Sequence, residues 1–121
     1  MTYDLAVWEG ARPASDAEGS ATFETLYAQY IDQGDTEPTP AIRGYVEALL
    51  ARWIDMTDDE QDVSPWADGP LIRNASGPII YFAMRPSVAD EVSAAAARMA
   101  AERGLVCFDP QRDQLRPAED E

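Results

Sequence analysis

The sequence predicts an α+β domain in which helices cover an antiparallel or mixed sheet. Three observations point there: an alternating apolar strand at the N-terminus, two helix-start signals each followed by an apolar stripe, and a hairpin pattern leading into an Ala-rich helix and a closing strand. The chain has 121 residues, the length of one domain. Residues 1–116 are expected to form it, with 117–121 as an acidic tail.

Residues 2–9 read as a strand, because Tyr3, Leu5 and Val7 alternate with Asp4, Ala6 and Trp8, and Gly10 and Pro13 end it. A first helix is expected over residues 16–33. Ser15 with Glu18 has capping-box spacing, and Phe23, Leu26, Tyr27, Tyr30 and Ile31 fall on one face. Gly34 stands where a C-terminal cap belongs. Thr39 and Pro40 open a second helix, with Ile42, Val46, Leu49, Leu50 and Trp53 as its buried stripe. Residues 56–68 read as an exposed acidic loop with Trp66 as its anchor. A short strand at 71–73, a turn at 74–77 and a stronger strand at 78–85 make a hairpin. Ser87 is expected to cap a third helix over 88–103, followed by a strand at 105–109 and a short edge piece at 114–116.

The resulting order, β-α-α-β-β-α-β, becomes βαββαβ when one helix is removed. That is the split pattern of ferredoxin-like two-layer sandwiches. In that arrangement the first and third strands are central and parallel, which would bring Trp8 and Glu9 toward Met84 and Arg85. One sheet face would be bare of helices and would carry Trp8, Ile79, Tyr81 and Cys107.

Composition bounds the function. Nine basic residues, all Arg, face 23 Asp and Glu, for a net charge of −14. Such a surface repels phosphate backbones and anionic headgroups, so neither nucleic acid nor a membrane surface is an expected partner. A basic protein partner is permitted. Arg without Lys, beside abundant Ala, also fits a GC-rich genome, and a halophile is a second explanation of the acidity. No stretch approaches a membrane span, and the N-terminus lacks the basic and apolar regions of a signal peptide. A cytoplasmic location is expected.

Histidine is absent, which removes the commonest general base and excludes Ser-His-Asp and Cys-His arrangements. Cys107 is the one cysteine. It can form neither an internal disulfide nor a thiolate zinc site, and it reads as a buried structural thiol. The run from Asp55 to Asp62 is rich in carboxylates but lacks the Gly and the closing Glu of an EF-hand loop. A solvated loop is therefore favoured over a metal site. Asn74-Ala75-Ser76 matches a glycosylation acceptor but reads as a turn. No cofactor, metal ligand or catalytic residue is expected.

The residues singled out as an interface or ligand patch are Trp8, Glu9, Tyr81, Arg85 and Trp66. An aromatic patch on a bare sheet face marks an interface, and a homodimer would bury it. Coverage by the acidic loop through Trp66 is the rival reading. Glu9 and Arg85 would form an ion pair at the strand ends.

The opening Tyr3-Asp4-Leu5-Ala6-Val7-Trp8-Glu9-Gly10 forms a pattern with Gly77-Pro78-Ile79-Ile80-Tyr81-Phe82-Ala83-Met84 and the closing Gly104-Leu105-Val106-Cys107-Phe108-Asp109-Pro110-Gln111. With these segments the chain resembles a family of small uncharacterised bacterial proteins, frequent in actinobacteria. The resemblance transfers no site residues. Some relatives look like neighbours of secreted toxin systems, which implies an immunity role. The leading expectation is a non-enzymatic protein-binding domain, in one form an immunity-like inhibitor of a basic partner. The alternatives are a small-molecule binder or minor enzyme using carboxylate, Arg and Tyr groups, and a structural homo-oligomer.

Overall fold

The computed structural model describes residues 2–34 and 36–117. In chain order it holds β1 (Tyr3–Trp8), α1 (Asp16–Leu26) continuing as a π-helical segment (Tyr27–Asp32), α2 (Pro40–Arg52), β2 (Ala75–Ser76), β3 (Ile79–Met84), α3 (Ala89–Glu102), β4 (Val106–Asp109) and β5 (Gln114–Arg116). The fold is α+β, with three α-helices and one five-stranded sheet in the order β2-β3-β1-β4-β5.

Every neighbouring pair in the sheet is antiparallel. The expected parallel pairing of the two central strands does not form. Tyr3 lies opposite Met84 and Trp8 opposite Ile79, so Trp8 and Glu9 sit at the other end of the sheet from Met84 and Arg85. The reason is the path of the two helices between β1 and β3. A βαβ crossover returns the chain on one face to start a parallel strand. Here α1 instead crosses the strands. Gly19 near its start abuts Leu115 and Phe108, while Tyr30 near its end packs on Gly77 in the β2–β3 turn. Residues 36–39 then round the β2 edge, where Gly77 N donates to Thr36 O and Thr39 N to Gly77 O, both at 3.0 Å. From there α2 runs down the opposite face and ends with Trp53 against Trp66. Trp66 in turn bridges to Met84. The chain therefore re-enters the sheet at the end where β1 began, climbs to β2, and turns back as β3.

Both faces of the sheet are consequently covered, and the bare face of a two-layer sandwich is absent. On one side, Leu5, Val7, Ile80, Phe82, Met84 and Cys107 pack against Ile42, Tyr45 and Leu49 of α2 and the buried alanines of α3. On the other, Ala6, Trp8, Ile79, Val106, Phe108 and Leu115 pack beneath Phe23, Leu26, Tyr30 and Ile31. Alternation along β1 assigns these partners residue by residue. Burying a large apolar side chain of this kind contributes roughly 1.5–3 kcal/mol. The Ala-rich face of α3, with Ala89, Ala95, Ala96, Ala97 and Ala100 buried, packs directly on the sheet. Tyr45 O–H ties α2 to α3 by donating to Ala96 O at 2.8 Å.

Two local readings are corrected. Residues 71–73 are not a strand: Leu71–Asn74 is a 3-10 turn whose Arg73 N donates to Pro70 O. The strand is the next pair, Ala75–Ser76, inside the segment expected to be the turn, and Gly77-Pro78 makes the reversal. The helix expected from Val88 begins at Ala89, after a 3-10 turn at Pro86–Val88, and no Ser87 side-chain cap forms. Most of the acidic tail expected at 117–121 lies outside the described residues.

Candidate functional site

The five residues singled out from sequence are dispersed. Trp8 and Tyr81 do share a face, but α1 covers it. Trp8 is 1% exposed, its ring 6.1 Å from Phe108. Tyr81 is half-buried, stacked on Phe23 at 5.8 Å and edge-on to Tyr27 at 5.2 Å, and its O–H donates to Asp4 Oδ2 at 2.7 Å. Trp66 is buried on the opposite face, edge-on to Trp53 at 5.6 Å and Phe82 at 5.7 Å. Glu9 is exposed at the far end of β1. Arg85 pairs with Asp62 at 2.5 Å, so the expected Glu9–Arg85 pair is replaced. The sheet face through which a homodimer was expected to form is thus occupied by the chain's own helix.

Polar chemistry gathers instead at two places, one that the sequence did not single out and one, the acidic run, that reads from sequence as a solvated loop. The first is beneath α3 at the end of β4. Asp109, fully buried, accepts hydrogen bonds from Tyr3 O–H, from Gln111 N at 3.0 Å and Nε2 at 2.7 Å, and from Arg112 N at 3.2 Å. Arg116 Nη1 lies 3.6 Å from its carboxylate. Burial, the hydrogen bond to Asp109 and the charge of Asp109 push the Tyr3 phenol up to about 12. The Asp109 carboxylate is buried with both oxygens engaged, and the group reads as a structural lock.

The second is the loop after α2. Three carboxylates from the acidic run fasten it. Asp55 accepts from Leu71 N at 3.2 Å; Asp59 accepts from Ser64 N at 2.6 Å and Gln61 N at 3.2 Å; Asp62 holds Arg85. The backbone bond from Ser64 N, with further bonds from Val63 and Gln61 N–H, holds the Asp59 carboxyl below its ordinary range despite some desolvation. Beyond Ser64 the chain joins the sheet: Ala67 N donates to Ala83 O at 2.9 Å and Arg85 N to Pro65 O at 2.8 Å. The loop is exposed at residues 56–58 and 60–63, as expected, and is fastened as well. Among the described residues, no three metal-ligating side chains converge.

Comparison with protein-family models, with curated proteins and with solved structures returned no match.

Proposed function

We propose that this protein is a non-catalytic binding module for a basic protein partner. The observation that supports the reading is how charge is distributed between contacts and solvent. Arg43 pairs with Glu37, Arg85 with Asp62, and Arg116 with Asp109. Arg12 donates to the carbonyls of Arg116 and Pro117, and Arg52 lies over the Trp53 ring. Arg73, Arg98 and Arg103 are exposed, but Glu24, Asp32, Glu47, Asp58, Glu60 and Glu102 face solvent in excess of them. The acid excess of −14 is thus displayed outward, where it steers a basic protein toward encounter. An immunity-like inhibitor lying over the basic active site of a toxin is one specific form of this reading. The test is to recover proteins bound to the immobilised chain, purify the partner and titrate it. A basic partner whose affinity falls steeply with salt is the expected result. An acidic partner, or affinity indifferent to salt, overturns the reading.

One observation favours a second reading, a small-molecule site. A cleft of about 580 Å³ runs along the β2 edge between Thr36, Glu37, Pro38, Ile72, Arg73 and Ala75, within the size range of ligand pockets. A thermal-shift screen against small carboxylates and phosphates tests it, and no stabilisation by any of them would set it aside.

A further inference from the structure

The loop that joins α2 to the Trp66 bridge exposes three large apolar side chains. Ile54 is 42%, Met56 41% and Val63 66% exposed. Both faces of the sheet are already covered, so the fold makes no use of them. Nor is the loop a slack connection. Asp55, Asp59 and Asp62 hold it to Leu71, Ser64 and Arg85, as described above. A fastened loop keeps its apolar groups presented and loses little freedom when a partner docks.

Ile54 and Val63 line a pocket of about 270 Å³ together with Asp58, Asp59, Glu60 and Gln61. Its carboxylates are not equivalent. Asp59 is committed to backbone N–H groups, and neighbouring Asp62 to Arg85. Asp58 and Glu60 have no side-chain hydrogen bond or ion pair among the described residues. Two apolar walls beside two uncommitted carboxylates match one kind of group, a long cationic side chain, whose methylene stem packs on apolar surface while its charged head stays at a polar rim. An anion would be repelled. A membrane surface with anionic headgroups would be repelled by the same charges.

We propose that this pocket is the docking site for a Lys or Arg side chain of the basic partner. The stem lies against Ile54 and Val63, the cation lies beside Asp58 and Glu60, and Met56 adds apolar contact outside the pocket. This rests on the binding-module reading above, and names where the partner engages.

The probe is the peptide acetyl-Leu-Arg-Leu-amide, with a counterpart carrying neutral citrulline in place of Arg, each titrated into the full chain and followed by backbone amide shifts. Shifts confined to residues 54–63, at least tenfold weaker binding of the citrulline peptide, and a similar loss in Asp58→Asn/Glu60→Gln and in Val63→Ser are expected. Those side chains make no internal polar contact, so the variants should keep the wild-type amide spectrum elsewhere. Shifts scattered over acidic surfaces generally, or equal binding of the two peptides, overturn the proposal. Self-association that the same variants abolish would assign the surface to a second copy and overturn it too. If a purified basic partner binds the Asp58→Asn/Glu60→Gln variant as tightly as wild type, this pocket is rejected while the binding-module reading stands. If the peptide binds here but no basic partner is recovered, the pocket stands and that reading falls.

Discussion

Arg116 Nη1 lies 3.6 Å from Asp109 Oδ2, and both side chains are buried beneath α3. Taking two charges out of water is costly, and attraction offsets that cost only when the remaining polar groups are satisfied. Tyr3, Gln111 and Arg112 complete the shell of Asp109. Removing one member therefore leaves the other uncompensated. Asp109→Ala is expected to lower the unfolding free energy by about 3–5 kcal/mol. Arg116→Met should also destabilise, and the double variant should cost less than the two singles together. Urea unfolding of the four proteins measures it; additive single effects would show that the pair is uncoupled.

Alkali should weaken the fold before every tyrosine ionises. Burial, then the hydrogen bond to Asp109, raises the Tyr3 phenol to about 12. Burial and the bond to Asp4 raise Tyr81, and burial raises Tyr45. An unfolded tyrosine loses its proton near pH ~10. Above that pH the unfolded chain binds fewer protons than the folded one, so stability is full below pH ~10 and falls as pH rises toward the Tyr3 value of about 12. Tyrosinate absorbance followed alongside unfolding should show late ionisation that becomes complete only as the fold is lost. Smooth ionisation of all tyrosines in the folded protein would contradict this.

Gly77 should not tolerate a side chain. Its φ is +55°, and a Cβ there would stand 2.7 Å from the Tyr30 ring. Tyr30 cannot yield easily, since it ends the helix that covers Trp8 and Ile79. Gly77→Ala is expected to destabilise by roughly 1–3 kcal/mol, combining backbone strain with overpacking. Thermal unfolding reads the loss, and Gly10→Ala separates the two causes, because its φ of +140° also strains a side chain while its Cβ would meet nothing within 4 Å, so it should cost less than Gly77→Ala.

The β5 edge is guarded by side chains from the start of the first helical region. Asp16 accepts from Leu115 N at 2.9 Å, and Arg12 donates to Arg116 O at 3.4 Å and Pro117 O at 3.0 Å. An uncapped edge is a template for another strand. Asp16→Ala should cost about 1.5–3 kcal/mol, the range for a hydrogen bond to a charged group. It should also promote self-association, visible by light scattering as a mass that rises with concentration. Unchanged stability and mass would show that the edge needs no such cap.

Much of the local structure was legible in the sequence. The Thr39-Pro40 start forms as read, with Ile42 N donating to Thr39 Oγ1 at 3.3 Å. Ser15 accepts from Glu18 N at 3.2 Å, although the Glu18 carboxylate reaches Ala14 N rather than closing the box on Ser15. Phe23, Leu26, Tyr30 and Ile31 do form one half-buried stripe packed on the sheet. These are short-range matters of capping and helical period, settled within a few residues of chain. The candidate site was legible only as an exposed acidic loop over residues 56–68. Ile54, Met56 and Val63 look like any core residues by type, and only the tertiary structure sets Ile54 and Val63 in one pocket with Asp58 and Glu60. Tyr45 was missed within a stripe otherwise read correctly.

The sequence by itself determined the α+β class, the order and approximate limits of the main elements, the excess of carboxylate over guanidinium, and the absence of histidine chemistry. The tertiary structure decided which face each helix covers. Because α1 crosses to the β2 edge and α2 returns on the opposite face, β3 runs antiparallel to β1, Trp8 and Tyr81 are covered, and Arg85 meets Asp62 instead of Glu9. Periodicity states that a stripe must be buried but not against which side of a sheet, since either side satisfies the same hydrophobic requirement. That choice rests on contacts far apart in the chain, such as Gly77 with Thr36 and Tyr30.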